Sequence, residues 1–178
     1  MSKNIIITGG LGYIGTELCK IYSGISWNNR ITVIDNRFIS ERVNQLRNWN
    51  INFVHGDILD GVLINKYCKD ADIIHHLAGI TDVPRVKSES SEENDLKIKL
   101  VGEKGTQNIL DSISDKGKII FPSTHVVFEG IETVRNNILE SEMLKPQLSY
   151  SSSKAINEKQ LKNSGKNYII LRLGSVYG

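Results

Sequence analysis

Residues 8–15 read Thr-Gly-Gly-Leu-Gly-Tyr-Ile-Gly, a glycine-rich sequence that indicates the class of fold. Gly10, Gly12 and Gly15 satisfy the spacing GxGxxG, between an apolar run, Asn4–Thr8, and a segment of helical periodicity. In that context, residues without a Cβ let a pyrophosphate approach backbone N–H groups at the positive end of a helix. The stretch therefore predicts dinucleotide binding at the first strand–helix connection. The alternative is a glycine turn that serves only tight packing.

Short β-branched runs alternate with segments of helical periodicity along the rest of the chain. The predicted strands are Asn4–Thr8, Arg30–Ile34, Asn52–His55, Ala71–Leu77, Lys118–Phe121 and Tyr168–Leu173. The predicted helices begin near Tyr13 and cover about Ser40–Asn48, Leu59–Tyr67, Glu92–Ser114 and Tyr150–Asn163. This alternation predicts an α/β fold of the Rossmann type, a doubly wound parallel sheet with helices on both faces.

The helices also carry local signals. The first places Ile14, Leu18 and Ile21 on one face, and Ser40 is positioned to cap the second. In the long fourth helix, small and apolar residues share a face: Gly102, Gly105, Thr106, Ile109 and Ile113. The polar stretch Ser123–Ser149 is too long for a simple connection and is predicted to belong to a site.

Composition excludes several classes of protein. The 178 residues carry 22 basic and 20 acidic side chains, a net charge of +2, which disfavours a nucleic-acid partner. Cys19 and Cys68 are the only cysteines and form no CxxC or Cys/His cluster, so we expect no metal site, no disulfide framework and a reducing cytoplasm. The longest apolar runs are too short to span a membrane, and no basic and apolar leader precedes them. One domain is the expectation for this length.

A carboxylate follows the second strand at the position that a dinucleotide site uses. Asp35 lies 20 positions after Gly15 and is predicted to accept both hydroxyls of an adenine ribose, which favours NAD because a carboxylate repels a 2′-phosphate. Arg37 is either a ligand of such a phosphate or a solvated surface cation. Asp57 either accepts a hydrogen bond from the adenine amino group or caps the helix that follows.

Together these residues resemble the extended short-chain dehydrogenases/reductases, the family of NAD-dependent sugar-nucleotide epimerases and dehydratases. The family's pattern GxxGxxG is matched by Gly9, Gly12 and Gly15. Further matches are Asp35, Gly56-Asp57, HLAG at His76–Gly79, Ser123-Thr124, YSSSK at Tyr150–Lys154 and LRLGSVYG at Leu171–Gly178. The resemblance covers the whole chain. It implies NAD as the cofactor, a nucleotide-sugar substrate, and a homodimer that pairs the Glu92–Ser114 and Tyr150 helices with their copies.

The resemblance also implies the site residues. Those expected to contact the cofactor are Gly9, Gly12, Tyr13, Ile14, Gly15, Asp35, Asn36, Asp57, Ile58, Leu77, Ala78, Gly79, Tyr150 and Lys154. The implied catalytic residues are Thr124, Tyr150 and Lys154. Tyrosine has a pKa of about 10 and is a poor base at neutral pH unless a nearby cation favours the phenolate. Lys154, four positions on along the same helical face, can supply that charge. The alternative is an ordinary amphipathic helix with Tyr150 at its edge.

Departures from the family pattern bear on the reaction. In STHVVFEG, which begins at Ser123, His125 and Val126 stand where the 4,6-dehydratases place Asp and Glu, so dehydration and decarboxylation are not expected. The stretch also resembles STDYVFDG of dTDP-4-dehydrorhamnose reductases. His125 is either an extra proton donor or a hydrogen-bonded neighbour. Gly102 replaces a common Asn, so either a water takes its part in a proton route or proton exchange is slower.

The sequence thus predicts an epimerase-type oxidoreductase that transiently oxidises a sugar hydroxyl, at C4 by preference. In this scheme Thr124 orients the oxygen, Tyr150 takes the proton and Lys154 lowers the pKa of Tyr150. The alternatives are a 4-keto-sugar reductase and a non-catalytic dinucleotide-binding regulator. Because family members usually continue far beyond the VYG motif, we expect residues 1–178 to form the coenzyme domain without the substrate lobe, as a fragment or as a short natural product.

Overall fold

A single parallel sheet organises the protein. The structure is a computed structural model that describes residues 2–25, 28–81, 91–133 and 137–177. Its strands are β1 (Asn4–Thr8), β2 (Arg30–Asp35), β3 (Asn52–His55), β4 (Ile73–His76), β5 (Lys118–Thr124) and β6 (Asn167–Leu173). They lie in the order β3-β2-β1-β4-β5-β6, every neighbouring pair being parallel. The order reverses between β1 and β4, and such a switch point opens a crevice at the carboxyl ends of the strands.

Helices cover both faces of this sheet, which confirms the predicted Rossmann fold. They are α1 (Tyr13–Ser23), α2 (Ser40–Asn48), α3 (Gly61–Cys68), α4 (Glu92–Ser112) and α5 (Ser149–Asn163). Alternate residues of β1 serve the two faces, because side chains along a strand point in opposite directions. Ile5 and Ile7 pack in one core with residues of α1 and α2, whereas Ile6 packs in the other with residues of α3, α4 and α5.

The ends of several elements differ from the sequence-based expectation. β5 continues through Pro122 to Thr124 rather than ending at Phe121. Proline is tolerated because the register with β4 ends at Ile120, so Pro122 has a strand, β6, on one side only. Within the described residues, α2 has no side-chain cap: its N-cap is Ile39, and Ser40 is the first helical residue, with its hydroxyl directed to Glu41.

Of the three apolar residues predicted to share a face of α1, Leu18 packs against the core, whereas the other two are exposed. Ile14 and Ile21 are 38% and 60% exposed, and the residues that α1 buries are Gly15 and Cys19. The reason is the close approach at the start of the helix: a Cβ on Gly15 would lie 2.6 Å from the Cα of Gly10. That contact turns the glycine side of α1 toward the sheet, and Ile14 faces the crevice instead.

The small residues of α4 pack within the chain. A Cβ on Gly102 would overlap the hydroxyl of Ser153 on α5, and a Cβ on Gly105 would overlap Ile58. At these two positions α4 therefore packs closely against Ser153 of α5 and against Ile58 of the same chain.

No helix in the described parts of the chain is both long and apolar enough to cross a membrane. Gly178, the last residue of the LRLGSVYG motif, and residues 134–136 of the polar stretch lie outside the described residues.

Candidate active site

A cleft of about 900 Å³ lies at the carboxyl ends of the strands. Residues that follow all six strands contribute to its wall, as the switch point between β1 and β4 predicts. Every residue that the sequence proposed for the cofactor or for catalysis lines this cleft: Gly9, Gly12, Tyr13, Ile14, Gly15, Asp35, Asn36, Asp57, Ile58, Leu77, Ala78, Gly79, Thr124, Tyr150 and Lys154. The structure thus brings them together, while their roles remain a prediction.

The glycine turn is packed so tightly that side chains are excluded. Gly9 has φ +69°, and a Cβ there would lie 2.7 Å from the backbone of Ala78. Gly10 packs on Val33 of β2 and does not face the cleft, whereas Gly9, Gly12 and Gly15 do. The spacing GxxGxxG therefore describes the cleft wall better than GxGxxG. Gly12 is the N-cap of α1, so the N-terminus of that helix, its positive end, lies at the turn.

Asp35 ends β2 with its carboxylate buried and fully bonded. Oδ2 accepts from the backbone N–H of Leu11 at 3.0 Å, and Oδ1 accepts from that of Arg37 at 3.0 Å. The Arg37 guanidinium donates two more hydrogen bonds, from Nε to Oδ1 at 3.1 Å and from Nη2 to Oδ2 at 3.2 Å. This bond raises the pKa of Arg37 above its ordinary value. A second guanidinium, that of Arg42 on α2, donates to the carbonyl of Leu11.

The next corner of the cleft is built by Asn36 and Asp57. The amide of Asn36 donates to Oδ2 of Asp57 at 3.0 Å, and Oδ1 of Asp57 accepts from the N–H of Leu59 at 2.9 Å. Asp57 is not the cap of α3, one of the two roles considered for it. Asp60 is that cap, because its carboxylate accepts from the N–H groups of Val62 and Leu63.

Tyr150 and Lys154 lie one turn apart at the start of α5, and both face the cleft. The Lys154 Nζ donates to the carbonyl of Pro122 at 2.9 Å and lies 4.5 Å from the centroid of the Phe121 ring. It lies 5.9 Å from the centroid of the Tyr150 ring. Burial lowers the pKa of Lys154 to about 8.

Burial has the opposite effect on the phenol: it raises the pKa of Tyr150 above its ordinary value. This differs from the sequence-based expectation that Lys154 lowers it. The physical reason is that desolvation disfavours the phenolate, while the ammonium is engaged by Pro122.

Thr124 and Ser123 end β5 and have separate surroundings. The Thr124 hydroxyl accepts from the N–H of Val126 and starts a short 3-10 helix, His125–Phe128. The Ser123 hydroxyl donates to the buried carboxylate of Glu158 at 2.7 Å. Both residues line the cleft, but the Ser123 hydroxyl donates to Glu158. The position of Thr124 permits its predicted role.

A buried ion pair lies behind this end of β5. Glu158, one turn beyond Lys154, accepts from Arg172 on β6 at 2.9 Å (Nε) and 2.7 Å (Nη2). The bonds from Arg172 and Ser123 outweigh burial and hold the pKa of Glu158 below its ordinary value. This cluster fixes β5, β6 and α5 to one another.

Glu129 fixes the start of α5. Its Oε1 accepts from the N–H groups of Gln147 and Leu148, both at 2.7 Å, and from the hydroxyl of Ser151. Leu148 is the N-cap of α5, so Glu129 fixes the segment that leads into the helix and the Ser151 side chain in its first turn. Of the polar stretch predicted to form a site, Ser123 and Thr124 are the described residues that line the cleft.

The histidines have structural surroundings. The ring of His76 lies between the hydroxyls of Thr8 at 2.9 Å and Thr106 at 3.1 Å, and that of His75 lies 2.8 Å from the Tyr22 hydroxyl. Burial lowers the pKa of His76 to about 3 and that of His75 to about 4, so both are neutral. His125 is exposed and bonds to the carbonyl of Leu173 at 3.2 Å. It is absent from the described lining of the cleft, which favours a hydrogen-bonded neighbour over a proton donor.

Some cleft residues were not found from the sequence. They include Arg42 on α2 and Asn94, Lys97, Leu100 and Val101 on α4. No motif marks them, and their position depends on how α2 and α4 pack on the sheet. Among the residues described, no group of three or more His, Cys, Asp or Glu side chains could hold a metal ion.

A Rossmann sheet with a glycine turn after β1, a carboxylate after β2 and a Tyr-Lys pair in one cleft defines a dinucleotide-dependent oxidoreductase class. The profile of the 3-beta hydroxysteroid dehydrogenase/isomerase family matches residues 6–175, and the chain belongs to that family.

Known relatives confirm the resemblance predicted from the sequence. A dTDP-D-glucose 4,6-dehydratase of Dictyostelium discoideum is 28% identical over 99% of this chain and 44% of its own length. The solved UDP-N-acetylglucosamine 4-epimerase from Methanobrevibacter ruminantium M1, in complex with UDP-N-acetylmuramic acid, has a TM-score of 0.78 at 28% identity, over 96% of this chain and 54% of its own. The UDP-glucose 4-epimerase from Brucella ovis, in complex with NAD, has a TM-score of 0.75 at 28% identity, over 96% and 51%. The chain spans about half the length of these relatives.

Proposed function

We propose that this chain is the coenzyme-binding and catalytic unit of an NAD-dependent sugar-nucleotide oxidoreductase of the epimerase type. The observation that carries the proposal is the presence of Tyr150 and Lys154 in the same cleft as the glycine turn and Asp35. The family name refers to steroids, but the relatives described above act on sugar nucleotides, and we infer the substrate class from them.

The cleft fits a dinucleotide. Gly9, Gly12 and Gly15 leave backbone N–H groups without covering side chains at the N-terminus of α1, where a pyrophosphate is favoured. Asp35 and Asp57 offer carboxylates to the adenosine end, and Tyr150 and Lys154 lie at the other end of the proposed site. When bound, NAD would supply the hydride acceptor and a positively charged nicotinamide ring.

The chain's own residues then divide the proton chemistry. Thr124 orients the hydroxyl oxygen of the sugar, and the Tyr150 oxygen takes its proton. Since burial raises the pKa of Tyr150, the phenolate needs a cation closer than Lys154 now lies. We infer that the Lys154 ammonium provides it by exchanging the Pro122 carbonyl for a partner at the phenol or ribose. A partly buried lysine with a pKa of about 8 holds its proton at neutral pH and is only weakly solvated.

Dehydration is not proposed. Val126 cannot exchange protons, and His125 is bonded to Leu173 away from the described cleft wall. Both positions are those that the resemblance assigns to acid–base residues in dehydratases.

We also propose a homodimer, and a reducing cytoplasm as its location. Exposed apolar side chains on two helices support the dimer: Leu96 is 61% exposed on α4, and Ile156 is 37% exposed on α5. Sedimentation showing a monomer at high micromolar concentration would contradict it. The location rests on two free, buried cysteines, Cys19 and Cys68, which belong to the cores on opposite faces of the sheet.

The test is Tyr150→Phe, with Tyr168→Phe on β6 as the matched control. Each protein is titrated with NAD⁺ and then mixed with a set of UDP- and dTDP-hexoses, and reduced nicotinamide and epimerised sugar are measured. We expect Tyr150→Phe to bind NAD⁺ like the wild type but to lose turnover, and Tyr168→Phe to keep both. Full turnover in Tyr150→Phe would refute the assignment. Stoichiometric consumption of reduced coenzyme by a 4-keto sugar would indicate the reductase. NAD⁺ binding without any turnover, even when the chain is extended with a substrate lobe, would indicate a regulator.

A further inference from the structure

Two guanidinium groups meet at the adenosine end of the cleft. The Arg37 Nη2 lies near the glycine turn, 3.7 Å from where a Cβ of Gly12 would lie. Arg42 reaches the same turn from α2 and donates to the carbonyl of Leu11, the residue before Gly12. Both arginines line the cleft. The sequence pattern suggested only the first of them.

The carboxylate between them is already saturated. Each oxygen of Asp35 accepts one backbone N–H and one N–H of the Arg37 guanidinium. The Asp35 side chain is 3% exposed, whereas that of Arg37 is 54% exposed. The backbone N–H groups of Leu11 and Arg37 hold the Asp35 carboxylate without help from the Arg37 side chain. The guanidinium can therefore move away while the carboxylate stays oriented.

This geometry allows two arrangements of one corner. With Arg37 withdrawn, Asp35 presents two oxygens to a pair of ribose hydroxyls. With Arg37 in place, Asp35 is neutralised, and the corner holds two cations against one carboxylate, which suits a phosphate at the ribose 2′ position.

We propose that this corner accepts an adenosine 2′-phosphate, so that the chain binds NADP(H) as well as NAD(H), with Arg37 and Arg42 as the phosphate ligands. The inference rests on the proposed dinucleotide function, and it departs from the preference for NAD that Asp35 alone predicts. Arg37 decides between the coenzymes, because only its side chain competes with the ribose for Asp35. The other carboxylate of the adenosine end, Asp57, is bonded to Asn36 and Leu59.

The experiment compares ligands that differ only in the 2′-phosphate. Calorimetric titrations use NAD⁺ against NADP⁺, and adenosine 5′-monophosphate against adenosine 2′,5′-bisphosphate, on the wild-type chain at two salt concentrations. We expect the wild type to bind both coenzymes with dissociation constants within about tenfold of each other. The affinity for the ligands that carry the 2′-phosphate should fall more at higher salt than the affinity for those without it, because exposed charges are screened.

Variants assign the effect to the two arginines. Arg37→Ala and Arg42→Ala should each weaken NADP⁺ binding by roughly tenfold or more, the loss of one charge-assisted hydrogen bond or two. Arg37→Ala should leave NAD⁺ binding unchanged or tighter, because Asp35 is then free for the ribose. Arg47→Ala, an exposed residue on α2, should change neither. If Arg42→Ala unfolds the turn, Arg42→Lys is measured instead. That variant keeps the positive charge and should retain part of the NADP⁺ affinity.

The outcomes separate this inference from the proposed function. NAD⁺ binding with NADP⁺ more than a hundredfold weaker would overturn the inference and leave the function standing. NADP⁺ binding that survives both alanine variants, or that falls equally in Arg47→Ala, would overturn the assignment to Arg37 and Arg42. Binding of neither coenzyme would overturn both.

Discussion

Replacement of Lys154 by methionine tests the electrostatics of the site through protein stability. Burial lowers the pKa of Lys154 from its ordinary 10.5 to about 8. Because one pKa unit corresponds to about 1.4 kcal/mol, holding the ammonium in the folded state costs about 3 kcal/mol below pH 8. Between pH 8 and pH 10.5 the unfolded chain binds the proton that the folded chain has released, so the free energy of unfolding rises with pH through this window.

Methionine has a similar shape and no charge, so Lys154→Met should lack this rise. We expect the free energy of unfolding of the wild type, minus that of the variant, to increase by about 3 kcal/mol from pH 7 to pH 10.5. Urea titrations followed by circular dichroism measure it, and other titrating groups cancel in the difference. Lys159→Met, which changes an exposed lysine on the same helix, is the control and should give a flat difference. A flat difference for Lys154→Met would refute the view that Lys154 carries its charge at a desolvated position.

Two further substitutions test the packing around the site. Glu158→Ala should lower the free energy of unfolding by about 3–5 kcal/mol, because it leaves the Arg172 guanidinium, 13% exposed, without its carboxylate; a loss below about 1 kcal/mol in urea denaturation would show that water replaces the pair. Gly102→Ala should change the free energy of unfolding by less than about 1 kcal/mol, because the overlapping Ser153 hydroxyl ends a side chain that can rotate away and alanine favours the helix. Adding Ser153→Ala should stabilise the Gly102→Ala protein more than it stabilises the wild type, and an equal effect in both would refute the contact.

The sequence was sufficient for the fold and for the main wall of the cleft. Strands in a parallel sheet are buried on both sides, so runs such as Ile5–Ile7 stand out, and the connections after them carry the cleft residues. Gly9, Gly12, Gly15 and Asp35 follow strands directly, so their position depends only on local chain geometry and strand order.

Residues that depend on helix orientation were harder to predict. Ile14 and Ile21 fit an apolar stripe, but the close contact of Gly15 with Gly10 sets which side of α1 faces the sheet, and both isoleucines are exposed. Arg42 and Lys97 reach the cleft from helices whose placement follows from packing across the whole sheet. A hydropathy pattern does not reveal that placement. From sequence alone, a charged residue on a helix indicates a face exposed to solvent.

The electrostatic roles were the least predictable part. The sequence places Tyr150 and Lys154 on one face, but it does not reveal that the Pro122 carbonyl holds the ammonium or that burial opposes the phenolate. Such effects depend on the depth of the groups and on backbone carbonyls, neither of which a motif encodes.

Calorimetric titration with NAD⁺ measures whether the glycine turn at the start of α1 holds a dinucleotide. A methyl group on Gly12 would lie 3.1 Å from the Gly9 carbonyl, in the turn where the pyrophosphate is expected, while one on Gly24 meets only ordinary contacts at 3.6 Å at the far end of α1. We expect one NAD⁺ to bind per wild-type chain and Gly24→Ala to bind it with the same affinity. We expect Gly12→Ala to bind NAD⁺ at least tenfold more weakly. No binding to the wild type, or equal binding to Gly12→Ala, would contradict this expectation.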